Sequence, residues 1–370
     1  MEFRTIVNRT IHAVGQGGFY TEKIEFENNK YFYIVYDCGC RNIKKGERCS
    51  ERIEKCIDEV FTRDEKIEAV FFSHFHQDHI NGLEYLINRC NVQRVYVPVL
   101  TLETKTMMLL ALDDEQESIH NYILNPSATI HQFEKGSEVE VIGIEENSPM
   151  LLYLTETGIT MKKPTTGRYR QYIPFNINQN KSFNEIKKRI EEKGLELPSP
   201  EQLRDYSRLE EIKSIFSTYF KKGEDKNSNS LTLLSMCSIS TLEWLRAICG
   251  CEIQLFNSKV NCLYLGDYNL NNDGVEKLQS SYGEYCDFVQ TIQIPHHGSK
   301  DNFNESIFDA FPQCSFFFCS AGTKNTYGHP NNDVLLQCIR NGKTVHWVSE
   351  KKESELVLDF RLLEVRVIPE

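Results

Sequence analysis

The early part of the chain has a two-residue period. Residues 4–14, 19–27 and 30–37 alternate or run apolar, rich in β-branched and aromatic side chains, and glycine-rich turns separate them. That pattern predicts three strands. The period then lengthens. Residues 49–63 have the apolar spacing of a helix, and 66–74 form a short continuous apolar run of buried-strand type. Helices are predicted over 79–90 and 103–124, and strands over 92–100, 128–133 and 138–144. After the middle of the chain, strands are predicted at 230–237, 251–257, 259–267, 288–295, 314–320, 344–349, 356–360 and 363–368, and helices at 272–282, 305–311 and 332–341. Strands with helices at intervals imply a layered α/β architecture.

The rhythm breaks between about residues 155 and 226. Apolar periodicity thins, and a polar, basic and aromatic run precedes two helical patterns at 183–194 and 200–220. The reading is one domain over 1–370 with an insertion at about 155–226. Charge sharpens the contrast. The chain carries 42 basic against 53 acidic residues, a net of −11. Residues 161–190 hold eight basic side chains and one acidic one, so this window is +7 and the remainder is −18. Arg168, Tyr169, Arg170 and Tyr172 interleave cations with aromatic rings, a pattern suited to phosphates and stacked bases. They are expected to bind a polyanion, possible partners including nucleic acid.

Composition otherwise matches a folded globular chain, with 40% hydrophobic and 26% charged residues. No run of eighteen apolar residues suggests a membrane span. The thirteen cysteines, an odd number, and the absence of a secretory pattern at the start predict unbridged thiols and a cytoplasmic location.

Candidate chemistry is concentrated in the histidines. Six of the ten lie in three tight clusters, while His12, His120, His131 and His346 stand alone and are read as structural. In the first cluster, Ser73-His74-Phe75-His76-Gln77-Asp78-His79, the segment leaves a buried strand and enters a helix. Alternate residues of an extended segment point the same way, so His74 and His76 can share one metal, and Asp78 and His79 can reach a second.

This segment resembles the HxHxDH signature of the metallo-β-lactamase superfamily. Leu265-Gly266-Asp267 resembles its Gly-Asp motif, and Asp37-Cys38-Gly39 its DxG turn. Val14-Gly15-Gln16-Gly17, Asn229-Ser230-Leu231, Pro295-His296-His297-Gly298-Ser299 and Asn325-Thr326-Tyr327-Gly328-His329-Pro330 resemble motifs of one branch. That branch holds the metallo-hydrolase domain of ComEC-like competence DNA-uptake proteins and the phosphorylcholine esterases. Gly18 stands where the branch usually has Asp, and no membrane channel is present. The second histidine, His76, separates the motif from the HxExD of flavodi-iron proteins and favours hydrolysis.

The resemblance implies a four-layer αββα sandwich with two divalent metal ions, zinc first and manganese as the alternative. It implies His74 and His76 on one ion with a histidine of the His296–His297 pair. It implies Asp78, His79 and His329 on the other, with Asp267 between them and Asp37 behind the ligands. Asp78 and Asp267 are the expected catalytic carboxylates. Lys300, Lys324, Asn325 and Tyr327, with Arg168 and Arg170, are the expected substrate-binding residues. The implied activity is that of a phosphodiesterase or nuclease. The alternatives are hydrolysis of another ester, lactone or thioester, and a metal-bound regulatory module without turnover.

Overall fold

In the computed structural model, the residues described are 4–27, 29–41, 49–112, 117–164, 169–178, 183–203, 205–219, 229–237, 260–271 and 273–363. The predicted strand at 251–257, residues 364–368 of the last predicted strand and the residue Arg168 lie outside them. Seven strands build the first half: β1 (Arg4–Ile11), β2 (Phe19–Glu25), β3 (Tyr31–Cys38), β4 (Lys66–Phe71), β5 (Asn91–Val92), β6 (Arg94–Pro98) and β7 (Glu140–Ile144). Eight build the second: β8 (Leu152–Thr155), β9 (Gly158–Thr160), β10 (Arg170–Asn178), β11 (Asn229–Cys237), β12 (Cys262–Tyr264), β13 (Thr291–Gln293), β14 (Phe316–Ser320) and β15 (Thr344–Val348). A final strand, β16 (Leu356–Leu363), returns to the first sheet beside β1.

The first sheet has the order β16-β1-β2-β3-β4-β6-β7, with β5 beside β4, and the second β15-β14-β13-β12-β11-β10-β8-β9. In each sheet a parallel set of strands abuts an antiparallel set. The first sheet runs parallel from β3 to β7, and the second from β12 to β15. Side chains alternate faces along a strand, so each sheet feeds two cores. Between the sheets lie Val7, Tyr20, Tyr36, Phe71, Tyr172, Leu233, Tyr264 and Phe318. Outside the first sheet, Val35, Val70 and Val95 pack on Ile53, Leu86, Met107, Ile123, Ile190 and Phe216 of the helices. Outside the second, Ile173, Leu263, Ile292 and Phe317 pack on Leu278, Ile307 and Val334. The molecule is the four-layer αββα sandwich.

Two predicted elements come out differently. Residues 128–133 are not a strand. Asn125 accepts a hydrogen bond from Ala128 N at 3.0 Å and Pro126 opens the first turn, so Pro126–Ile130 forms a short helix. The basic, aromatic run contains β10, which pairs along its length with β11. Ile173, Phe175 and Ile177 face the outer helices, and Tyr172 faces the other sheet. The helices Phe183–Glu192 and Leu209–Tyr219 bury Ile186, Ile190, Ile212 and Phe216 in the outer core of the first sheet.

Candidate metal centre

β4 ends at Phe71, and the chain runs through Ser73, His74 and His76 into the one-turn helix Gln77–Ile80. His79 N and Ile80 N both donate to His76 O, which sets Asp78 and His79 at the start of that turn. Close backbone packing holds this loop. Gly39 follows β3, and a Cβ there would lie 2.6 Å from Asp78 C and 2.7 Å from His79 C. Gly266 has φ +56°, and its Cβ would overlap Ser73 and lie 2.8 Å from Ser230 Oγ. Only glycine allows both the approach and the left-handed turn. The turn delivers Asp267 from β12 to the histidines of β4.

The result is a buried cluster. Asp267 Oδ2 lies 3.6 Å from His74 Nε2, and Asp267 Oδ1 lies 3.2 Å from His79 Nε2 and 3.7 Å from His297 Nε2. His297 Nε2 is also 3.4 Å from Asp78 Oδ2. The His76 ring stands 4.7 Å from that of His74. Two triads can each hold a cation: His74, His79 and Asp267, and Asp78, His79 and His297.

The rear nitrogens explain the aim of the rings. His79 Nδ1 donates to Asp37 Oδ2 at 2.8 Å, and Ser73 N and Oγ donate to the same carboxylate at 2.8 and 2.9 Å. Ser73 Oγ then accepts from His74 Nδ1 at 2.9 Å. His297 Nδ1 donates to Ser320 O at 2.8 Å. With all three Nδ1 atoms bearing protons, each Nε2 presents a lone pair to the centre. Burial favours neutral imidazole and holds the His74 pKa well below its ordinary value. Burial opposes charge on His79 too, but Asp267 and Asp37 outweigh it and raise that group, so a cation would take the place of the proton on His79 Nε2. Burial likewise opposes ionisation of Asp267, yet the surrounding histidines hold it well below the carboxylate range.

These atoms fit a metal. His74 Nε2, His79 Nε2, His297 Nε2 and Asp267 Oδ1 are buried and have no hydrogen-bond partner. One such orphan costs about 1–3 kcal/mol. Four converging lone-pair donors in one pocket are stable together when a cation satisfies them.

Residues 29–117 match the family model described as metallo-beta-lactamase superfamily. The match covers 89 of the chain's 370 residues. No curated protein sequence matches the chain. It is similar to a solved diphosphatase of the PhnP family at 11% identity, covering 96% of this chain and 99% of that one, with a TM-score of 0.39. It is similar to the long form of RNase Z from yeast at 9% identity, covering 85% of this chain and 36% of that one, with a TM-score of 0.37. A metallo-β-lactamase bound to 2-mercaptoethanesulfonate shares 9% identity over 94% of this chain and 89% of that one, with a TM-score of 0.31. The superfamily is one of metal-dependent hydrolases binding divalent ions.

The other expected residues divide. His297 rather than His296 meets the triads, and it joins Asp78 and His79 rather than His74 and His76. His329 stands outside both triads, 6.0 Å ring to ring from His296 and stacked at 5.8 Å on Tyr327. Burial lowers the His329 pKa to about 4. Asn325 is occupied in shaping its own loop. Its Oδ1 accepts from Tyr327 N and His329 N at 3.1 and 2.9 Å, and its Nδ2 donates to Gly322 O at 2.6 Å and to His329 O. Lys300 is ion-paired with Asp333 at 2.6 Å on the surface. Lys324 and Tyr327 are exposed.

Arg170 is buried rather than on the surface. It is 1% exposed and lies between the sheets. Its Nη2 donates to Ser235 Oγ and Val260 O at 2.8 and 2.9 Å, and its Nε faces Glu22 at 3.4 Å. Tyr172 donates to Glu22 Oε2 at 2.9 Å and is likewise buried. Arg189 and Lys188 pair with Glu185 and Glu192 of their own helix. Local charge counting missed this because the compensating acid, Glu22, is distant in sequence. The sequence reading also passed over the roles of Ser73 and Ser320, whose partners appear only in three dimensions.

Proposed function

We propose that this chain is a metal-dependent phosphodiesterase with two divalent ions, zinc first and manganese as the alternative. His74 and His76 would hold one ion, and Asp78, His79 and His297 the other, with Asp267 between. The observation that carries this reading is the division of Asp267, whose Oδ2 faces His74 while Oδ1 faces His79 and His297. Bound at such a centre, paired ions lower the pKa of water towards neutrality and neutralise charge on a reacting phosphate. The chain's own residues supply the preorganisation. Asp37 and Ser73 fix His79 and His74, and the Ser320 carbonyl fixes His297.

A phosphodiester substrate is favoured by the PHHGS and NTYGHP motifs and by exposed Lys324 beside the second of them. A compact substrate is favoured over a long polyanion, because Arg170 and Tyr172 are buried and Lys188 and Arg189 are paired. Protein stripped of metal and reloaded with zinc or manganese should be assayed on bis-p-nitrophenyl phosphate, a γ-lactone, a thioester and labelled DNA and RNA. The reading expects metal-dependent turnover of the phosphodiester above the lactone and thioester. Turnover of the lactone or thioester alone would replace it with a carboxyl-ester hydrolase. Tight metal binding with no turnover of any substrate would make the chain a binding module.

A further inference from the structure

A ladder of rings leads outward from the metal centre. His297 stands edge-on to His296 at 6.4 Å, His296 edge-on to His329 at 6.0 Å, and His329 stacks on Tyr327 at 5.8 Å. Tyr327 ends the ladder in solvent, 54% exposed. The guanidinium of Arg41 lies 5.4 Å from the centre of its ring. Arg41 belongs to the opposite half of the molecule, three residues beyond the end of β3.

That position is fixed from behind. Gly18 N donates to Asp78 O at 3.0 Å, and Gly39 N donates to Gly18 O at 2.8 Å. Arg41 N donates to Gln16 O at 2.6 Å. Asn81, at the end of the metal-binding turn, clasps Cys40 by accepting from its N at 3.0 Å and donating to its O at 2.7 Å. Arg41 is thus tied through backbone bonds to the loop that carries Asp78 and His79, while its side chain reaches the rim that carries His329.

Among the described residues, no carboxylate pairs with Arg41. Lys300 and Arg170 differ: the first has Asp333 and the second Glu22. A planar guanidinium laid over a ring keeps its N–H fork free and oriented, and that fork matches a phosphate.

We propose that Arg41, steadied by Tyr327, is a specificity-determining residue that binds a second anionic group of the substrate beside the scissile phosphodiester. This rests on the phosphodiesterase reading above. It names a nucleotide-sized diester bearing an additional phosphate as the preferred substrate class.

The test compares two esters with one leaving group: p-nitrophenyl thymidine 5′-phosphate, with and without a 3′-phosphate. Zinc-loaded wild type should show kcat/KM about tenfold higher for the 3′-phosphorylated ester, the scale of one charge-assisted contact. Arg41→Ala should bring the two esters level, and Tyr327→Leu should narrow the gap, while Tyr327→Phe keeps it. Direct binding gives an independent readout. Wild type should bind thymidine 3′,5′-bisphosphate more tightly than thymidine 5′-phosphate, and Arg41→Ala should not. An unchanged preference in Arg41→Ala, or no preference in wild type, would overturn the inference and leave the phosphodiesterase intact. Failure of both esters with metal bound would overturn the phosphodiesterase reading itself, and the binding comparison would still judge Arg41.

Discussion

Asp37 touches no candidate ligand atom at the front of the site, yet it sets how the front is arranged. Its carboxylate is fully buried and accepts from His79 Nδ1 and from Ser73 N and Oγ. Asp37→Asn keeps the size but removes the charge that holds the His79 proton at the rear. Metal affinity should fall about 10–100-fold, the usual cost of losing such a support, as read by competition with a chromogenic chelator. Unchanged affinity would reduce Asp37 to an ordinary turn residue. Asp267→Asn should be more severe than His329→Ala, because Asp267 faces three candidate ligands and His329 lies outside the triads. A loss of about a hundredfold or more in kcat/KM is expected for the first, with His329→Ala well above it in the same assay. At this scale, the HFHQDH segment and Asp267 were legible because their order along the chain is itself a pattern. The choice between His296 and His297 was not. Both have positive φ, at 48° and 54°, so their rings leave the chain in directions that no period describes. Only the carbonyl of Ser320, on β14, shows that His297 is anchored inward.

Elements place these residues, and the tolerances are narrow. A methyl group at Gly39 would press on the main chain of Asp78 and His79. Gly39→Ala should therefore destabilise the fold by about 1–3 kcal/mol, the range for overpacking, visible as a lower denaturation midpoint in urea. It should weaken metal binding in parallel, and a stable variant with full metal affinity would contradict the packing argument. Strands with two-residue alternation on β1 to β3 were legible, and so were the helices that bury one stripe. The strand expected at 128–133 failed because Asn125 and Pro126 cap a helix, a local signal stronger than the apolar spacing that follows. β10 was illegible for the opposite reason. Its Arg170 reads as surface, and only pairing against β11 and contact with Glu22 show it to be core.

At the scale of the molecule, the two sheets are joined through charge as well as apolar packing. Arg9 donates to Glu22 Oε1 from Nε and Nη2 at 2.9 and 2.7 Å, and Arg170, Tyr172, Ser235 and Tyr264 surround the same carboxylate. Glu22 is opposed by burial but held down to about 2 by Arg9 and Arg170. Its folded pKa lies below the ordinary 4.5, so its stabilisation is complete above that value and is lost as pH falls towards 2. Glu22→Gln leaves two arginines buried without their counter-charge and should cost about 3–5 kcal/mol, with a flatter decline of stability in acid. Equal stability of variant and wild type in urea at neutral pH would remove this network from the account.

The candidate metal centre lies between the two halves, Asp78 and His79 coming from the first sheet's side and Asp267 and His297 from the second's. On the proposed reading, both halves together hold two ions that turn over a phosphodiester. Zinc can be added stepwise to chelator-stripped protein, with hydrolysis of bis-p-nitrophenyl phosphate followed at each step. Activity should rise to a break at about two ions per chain. A break at one ion, or no hydrolysis at any loading, would contradict it.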